Sequence, residues 1–121
     1  MVVEKAIKIL NEIIKKTREG RLQWEKTHRE DTFQISLTDY SIQIEREERF
    51  DIAMNDKYFA YRLKFFDERG RLIEDFDQSD LLEVESNASR ALHELFVIAR
   101  RSANKTEKAL DDILNELENN V

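Results

Sequence analysis

The stretch "FQISLTDYSIQIE", residues 33–45, decides the fold. Apolar side chains occupy odd positions in its first half and even positions in its second half: Phe33, Ile35, Leu37, Tyr40, Ile42 and Ile44. Successive side chains of a strand point to opposite faces, so one uninterrupted strand would send the two sets to opposite faces. The change of parity across Thr38 and Asp39 therefore predicts a tight turn between two antiparallel strands.

A second hairpin is predicted in residues 57–76, "KYFAYRLKFFDERGRLIEDF". Its first strand points four alternating apolar residues inward: Phe59, Tyr61, Leu63 and Phe65. Residues 67–70 form the turn, and residues 72–76 form the returning strand.

The rest of the strand region is less regular. Leu22 and Trp24 alternate with polar neighbours, which indicates another short strand. Residues 45–56, "EREERFDIAMND", are charged and aperiodic, so we predict a loop there. Together these patterns predict an antiparallel meander of four to five strands.

Both ends of the chain show helical periodicity. Residues 2–19 form an amphipathic pattern, and Gly20 suits the left-handed conformation that closes a helix. Residues 87–119 carry two apolar stripes, which are separated by the polar stretch "ANKTE". Asn104 and Glu107 fit a capping box, which favours two consecutive helices over one long kinked helix.

This layout predicts an α+β fold with two layers. The antiparallel meander sheet carries one N-terminal helix and one or two C-terminal helices, packed on one face. A chain of 121 residues has the usual size of one domain, and no stretch rich in Gly, Pro or Ser divides it. We therefore expect residues 1–121 to form a single α+β domain.

Composition excludes several classes of function. The absence of cysteine rules out disulfides, thiolate metal sites and a cysteine nucleophile. The chain has no proline and two glycines, so it lacks the glycine-rich loops that bind phosphates. Charges interrupt the N-terminal helix, unlike a secretory signal, and no apolar run approaches the ~18 residues of a membrane span. We expect a cytoplasmic protein.

No arrangement of side chains indicates a catalytic, cofactor or metal site. His28 lies near Glu25, Glu30 and Asp31, but a single histidine in a turn lacks the ligand set that transition metals require. The serines lie in no nucleophile-elbow pattern, and no spacing marks two carboxylates as an acid and a base. We predict no cofactor and no metal, and an enzyme is the less favoured interpretation.

Charge is unevenly distributed in a chain whose formal net charge is -6, because residues 87–106 sum to +3. Helical spacing places these four cations and one apolar residue on or beside the exposed side of a helix: Arg90, Val97, Arg100, Arg101 and Lys105. We predict that they bind a protein partner with an acidic surface, since Arg suits carboxylate contacts. The simpler alternative is a solvated face on which Glu94 pairs with Arg90 and Arg101, or one bonded to the acidic strand region.

Two other functions fit weaker patterns. An enzyme or small-ligand binder would use a cavity between sheet and helices, with polar side chains from Trp24, Tyr40, Tyr61 and His93. A nucleic-acid module would use a strand face on which aromatic and basic residues alternate: Tyr58, Arg62, Lys64 and Phe66. The acidic middle of the chain weakens this last interpretation, because phosphate binding depends on Lys and Arg.

The final apolar stripe needs a surface to cover it: Ala109, Leu110, Ile113, Leu114 and Leu117. The sheet of the same chain or a second copy of the chain would supply that surface. The sequence thus predicts a small protein-interaction or regulatory module with no evident catalytic activity, which forms a homodimer or other homo-oligomer through its C-terminal helix. We expect neither nucleic acid nor membrane as its partner.

Overall fold

The computed structural model describes residues 2–119, so both ends of the predicted domain, residues 1 and 121, lie outside the described part. The elements are α1 (Val2–Arg18), β1 (Glu25–Lys26), β2 (Thr32–Ser36), β3 (Ser41–Asp51), β4 (Asp56–Phe66), β5 (Leu72–Asp77), α2 (Gln78–Leu82), α3 (Ala88–Ala103) and α4 (Thr106–Asn119). The strands form one antiparallel sheet in chain order, β1-β2-β3-β4-β5. The predicted α+β meander is confirmed.

The hairpin predicted in residues 33–45 is formed by β2 and β3. Phe33 lies opposite Ile44, so the apolar side chains of both strands share one face. The turn closes where the Leu37 N–H donates to the Tyr40 carbonyl oxygen at 2.7 Å. The second predicted hairpin, between β4 and β5, is also present.

The apolar face of the sheet packs against α1 and α3. These layers share one hydrophobic cluster, and its large, fully buried side chains are Leu10, Ile35, Ile44, Leu63, Leu81, Leu92, Leu95 and Phe96. The ring of Phe96 lies at the centre, 5.5 Å from the ring of Phe33 and 5.7 Å from that of Tyr61. Burial of this apolar surface is the main force that holds α3 on the sheet.

Gly20 ends α1 as predicted, with a φ of 73°. Its N–H donates to the Thr17 carbonyl oxygen at 3.0 Å, and the Arg21 N–H donates to the Lys16 carbonyl oxygen at 2.9 Å. These two bonds satisfy carbonyl groups that the end of the helix leaves unpaired.

The predicted loop at residues 45–56 is wrong, because β3 continues to Asp51 and β4 begins at Asp56. β2 and β5 are shorter. β2 pairs only with residues 41–45 of β3, and β5 pairs only with residues 62–66 of β4. Residues 48–59 therefore extend beyond the neighbouring strands as a two-stranded ribbon, which we call the β3–β4 arm. Most of its residues are exposed on both faces, so they lack the alternation that marks a half-buried strand.

Phe59 departs from the prediction that it points into the core. It lies on the core face of the sheet, but at the base of the β3–β4 arm, where it is 51% exposed. The Arg46 guanidinium lies 4.2 Å from the centre of its ring. Further along the arm, Lys57 and Glu48 form a cross-strand ion pair at 3.6 Å. Charge pairs and a cation–π contact take the place of a core here.

α2 is a helix that the sequence pattern did not predict. The Asp77 carboxylate accepts from the Ser79 N–H at 3.1 Å, while the Asp80 carboxylate accepts from the Asp77 N–H at 2.9 Å. This reciprocal capping starts the helix at the end of β5, and the helix buries Leu81 against α3.

The C-terminal region forms two helices, as favoured from the sequence. Asn104 does not start α4 as predicted; it ends α3, and its N–H donates to the Arg100 carbonyl oxygen at 2.9 Å. Lys105 then has a φ of 51°, which changes the direction of the chain before Thr106. Among the described elements, α4 contacts α3 alone, and none of its residues is buried.

Candidate protein-interaction surface

An open cleft of about 1010 Å³ lies where the C-terminal ends of α1 and α3 meet the first turns of α4. Its apolar lining comes from three elements, with Leu22 in the loop after α1, Ile98 on α3 and Leu110 on α4. We call it the α1–α3–α4 cleft. Two of the predicted partner-binding residues, Arg101 and Lys105, also line it.

Two hydrogen bonds from Trp24 fix the walls of this cleft. The indole Nε1–H donates to the Thr17 hydroxyl oxygen at 2.9 Å, which ties the loop to α1. The backbone N–H of Trp24 donates to the Ser102 hydroxyl oxygen at 3.0 Å, which ties the same loop to α3. Because Trp24 is buried, the loop that carries Leu22 is held firmly against both helices.

The charges around the cleft are predominantly positive: the cations are Arg18, Arg101, Lys105 and Lys108, and the acids are Glu107 and Asp111. Arg18 pairs with Glu94, and Lys108 pairs with Asp112 at 2.8 Å. Arg101 and Lys105 are exposed and form no ion pair with any residue that the structure describes. The cleft therefore combines an apolar floor with two cations, Arg101 and Lys105, and two acids, Glu107 and Asp111, which form no ion pair within residues 2–119.

Glu94 does not pair with Arg90 and Arg101, as the solvated-face alternative expected, but with Arg18 on α1. This pairing removes the only acid of α3 from the predicted basic surface. The cations at the C-terminal end of α3 therefore keep their charge uncompensated by their own helix.

The other predicted partner-binding residues lie outside the cleft. Arg90 is exposed, eleven residues before Arg101 and hence about 16 Å away along α3. Val97 is half-buried, and the Arg100 guanidinium lies 5.4 Å from the centre of the Phe96 ring. The structure thus brings Arg101 and Lys105 together, but it does not bring Arg90, Val97 or Arg100 to the same place.

α4 adds an apolar surface next to the cleft. Its large apolar residues are 51–59% exposed: Leu110, Ile113, Leu114 and Leu117. They lie three or four residues apart and therefore form one stripe along the helix. This is the apolar stripe that was predicted from the sequence to need a cover, and within residues 2–119 its large side chains stay more than half exposed.

The proposed ligand-binding residues do not converge on one cavity. Trp24 and Tyr61 are buried, and the Tyr61 hydroxyl shares a hydrogen bond of 2.5 Å with Nδ1 of His93. Burial raises the pKa of Tyr61, against the opposing effect of Arg46 and Arg100, so its phenol stays protonated at neutral pH.

Tyr40 lies elsewhere, in an apolar groove of about 310 Å³ between α1 and the sheet. Apart from the Tyr40 hydroxyl, only Glu74 brings a polar side chain to this groove. Ligand sites usually combine apolar walls with several converging polar groups. This groove therefore gives little support to the small-ligand alternative.

The face that was considered for nucleic acid has its cations neutralised. The Arg62 guanidinium pairs with Asp75 and Asp77 at 3.0 Å each, and Lys64 pairs with the buried Glu45 at 2.8 Å. Phosphate binding needs cations that exchange counterions for phosphates. Here carboxylates of the same chain already pair with these cations, in the place that phosphates would take.

His28 lies in a polar cleft of about 580 Å³ on the same face of the sheet. No three His, Asp or Glu side chains within residues 2–119 are grouped in a way that could hold a metal ion.

The tip of the β3–β4 arm is a second exposed apolar surface, with Phe50 at 55%, Ile52 at 87% and Met54 at 75% exposure. This surface was not predicted, because residues 45–56 were interpreted as a loop. The available signal was the presence of three large apolar residues within a charged segment.

No protein-family model, curated protein or solved structure matches this chain. Across residues 2–119, none of the helices is both long enough and apolar enough to cross a membrane.

Proposed function

We propose that the chain is a protein-interaction module that binds an acidic amphipathic segment in the α1–α3–α4 cleft. The observation that carries this proposal is a pair of exposed cations, Arg101 and Lys105, which form no ion pair within residues 2–119 and lie beside the apolar residues Leu22, Ile98 and Leu110. The module acts in the cytoplasm as a regulatory or adaptor protein, and it associates with itself through α4.

The chemistry of the cleft favours this kind of partner. An amphipathic helix presents apolar residues on one face and charges beside them, which matches an apolar floor with charged residues at its edge. Arg101 offers a guanidinium, which binds carboxylates with two parallel hydrogen bonds. A basic partner would instead meet the like charges of Arg101 and Lys105, so it fits this part of the cleft less well than an acidic partner does.

The test is a charge reversal in the cleft, R101E/K105E, in the full chain. Its matched control is K5E/K8E, which makes the same charge change at two exposed lysines of α1. Tagged proteins are used to capture partners from a lysate of the native host, and the captured proteins are quantified by mass spectrometry. We expect R101E/K105E to lose the specific partners and K5E/K8E to keep them, while both keep the melting temperature of the natural chain.

Equal capture by R101E/K105E and the natural chain would contradict the assignment of the cleft. Loss of the same partners from both variants would show a dependence on overall charge and would also contradict it.

A further inference from the structure

We propose that the segment bound in the α1–α3–α4 cleft is α4 of a second copy of this chain, in a reciprocal and antiparallel arrangement. This inference rests on the proposed function, because it names the partner of the same cleft. Each copy supplies one cleft and one acidic amphipathic helix, so two copies complete each other.

The apolar face of α4 is largely uncovered within one copy of the chain. A helix of 14 residues is about 21 Å long, and isolated helices of this length are marginal in water. Packing of an amphipathic face is what stabilises such helices in proteins. Within one copy, Leu110 lines the cleft, but Ile113, Leu114 and Leu117 lie further along the helix, outside its lining.

The exposed apolar residues of α4 are regularly spaced. Leu110, Ile113 and Leu117 follow a three-four spacing, which places them on a narrow seam along α4. This spacing is typical of helices that pack against another helix at a small crossing angle. The cover that α4 needs is therefore another helix.

Charge is unevenly distributed along and beside α4. Arg101 and Lys105 lie just before its N-terminal end and Glu116 and Glu118 lie at its C-terminal end, whereas Lys108 pairs with Asp112. Arg101, Lys105, Glu116 and Glu118 are exposed and form no ion pair within residues 2–119. An antiparallel pair brings the cations of each copy to the acids of the other, whereas a parallel pair brings like charges together. The charge pattern thus selects a second copy in antiparallel orientation.

Antiparallel pairing also connects α4 with the cleft. When the pair is centred between Ile113 and Leu114, Leu110 lies opposite Leu117 of the second copy. The end of the second α4 then lies beside the cleft floor, at Leu22 and Ile98. The contact with the cleft floor enlarges the interface. It is needed because a specific interface buries about 800 Å² on each partner, which is more than two such short helices bury alone.

The decisive experiment uses two charge-reversed full chains, R101E/K105E and E116K/E118K, with molar mass measured by light scattering during size exclusion. At about 100 µM a dimer with micromolar affinity is almost fully formed. We expect the natural chain to be a dimer and each variant alone to be mostly monomeric, which at this concentration corresponds to dimerisation weakened about a thousandfold. An equimolar mixture of the two variants should regain the dimer mass, because each altered end meets its complement.

A second pair of variants separates apolar packing from charge. L110S/L117S removes two residues of the seam, and I52S/M54S removes two even more exposed apolar residues from the β3–β4 arm. We expect the first to be a monomer and the second to remain a dimer.

A monomeric natural chain at this concentration would overturn the proposal, and so would a mixture of charge variants that stays monomeric. In either case the capture experiment still tests the cleft separately. Loss of captured proteins with R101E/K105E would then assign the cleft to a different protein, whereas unchanged capture would remove the proposed function as well.

Discussion

Arg49 on β3 pairs with Asp77 at the end of β5, and the two side chains span the intervening strand β4 on the outer face of the sheet. Asp77 also accepts a hydrogen bond from Arg62 at 3.0 Å and caps α2. One carboxylate therefore connects three strands and a helix. The hydrogen bond from Arg49 holds the pKa of Asp77 well below its usual range, although burial opposes this shift.

Replacement of Asp77 by Asn should lower the free energy of unfolding by about 1–3 kcal/mol at neutral pH. Because the folded state lowers the pKa of Asp77, its contribution to stability is fully present above the unfolded pKa of about 3.9 and is lost progressively as the pH falls from there through the lower pKa of the folded state. Hydrogen bonding from Arg49 also lowers the pKa of Glu47. Protonation of Glu47 in acid therefore adds to the loss of folding stability.

Urea titrations at pH 7 and pH 3 measure this effect. D77N should lose less stability between the two pH values than the natural chain does, and D39N at an exposed turn residue serves as the control. An identical pH dependence in D77N and the natural chain would show that Asp77 is not part of the acid-sensitive network.

Loss of the Tyr61 hydroxyl should also destabilise the fold. Y61F keeps the ring contact with Phe96 but removes the 2.5 Å hydrogen bond to His93. We expect a cost of about 0.5–1.5 kcal/mol in the free energy of unfolding, measured with urea. Y58F, at a tyrosine that is 45% exposed, should change stability by less, and equal effects of the two changes would argue against a stabilising role for the Tyr61–His93 bond.

Gly20 gives a prediction about backbone conformation. Its φ of 73° is unfavourable for other residues, while a Cβ built there meets no atom within 4 Å. G20A should therefore cost about 1–2 kcal/mol from backbone strain alone. G20N should cost less, because Asn tolerates the left-handed region. Thermal unfolding compares them, and equal losses for Ala and Asn would mean that conformational strain is not the cause.

Local patterns were sufficient to predict much of the fold. The turn at Thr38 and Asp39 and the helix end at Gly20 depend on neighbouring residues, which the sequence displays directly. The β3–β4 arm was missed because neither of its faces is continuously buried, so the chain has no apolar alternation there. α2 was missed because a helix of five residues that buries only Leu81 has no measurable periodicity.

The candidate site was predictable only in part. Helical spacing identified Arg101 and Lys105, but the cleft that they line depends on the turn at Lys105 and on the bond from Trp24 to Ser102, 78 residues away in the chain. Such long-range contacts leave no local pattern. Arg100 is adjacent to Arg101 in sequence, yet a rotation of about 100° per residue turns it toward Phe96 instead.

Hydrogen exchange of the α4 amides tests the central claim, that protein contact covers this helix, most directly. Mass spectrometry of peptides within residues 106–119 should show protection that increases with the concentration of the natural chain and is lost in R101E/K105E, because an uncovered helix of this length frays rapidly. Fast exchange of these amides at every concentration, in the natural chain and the variant alike, would contradict the account.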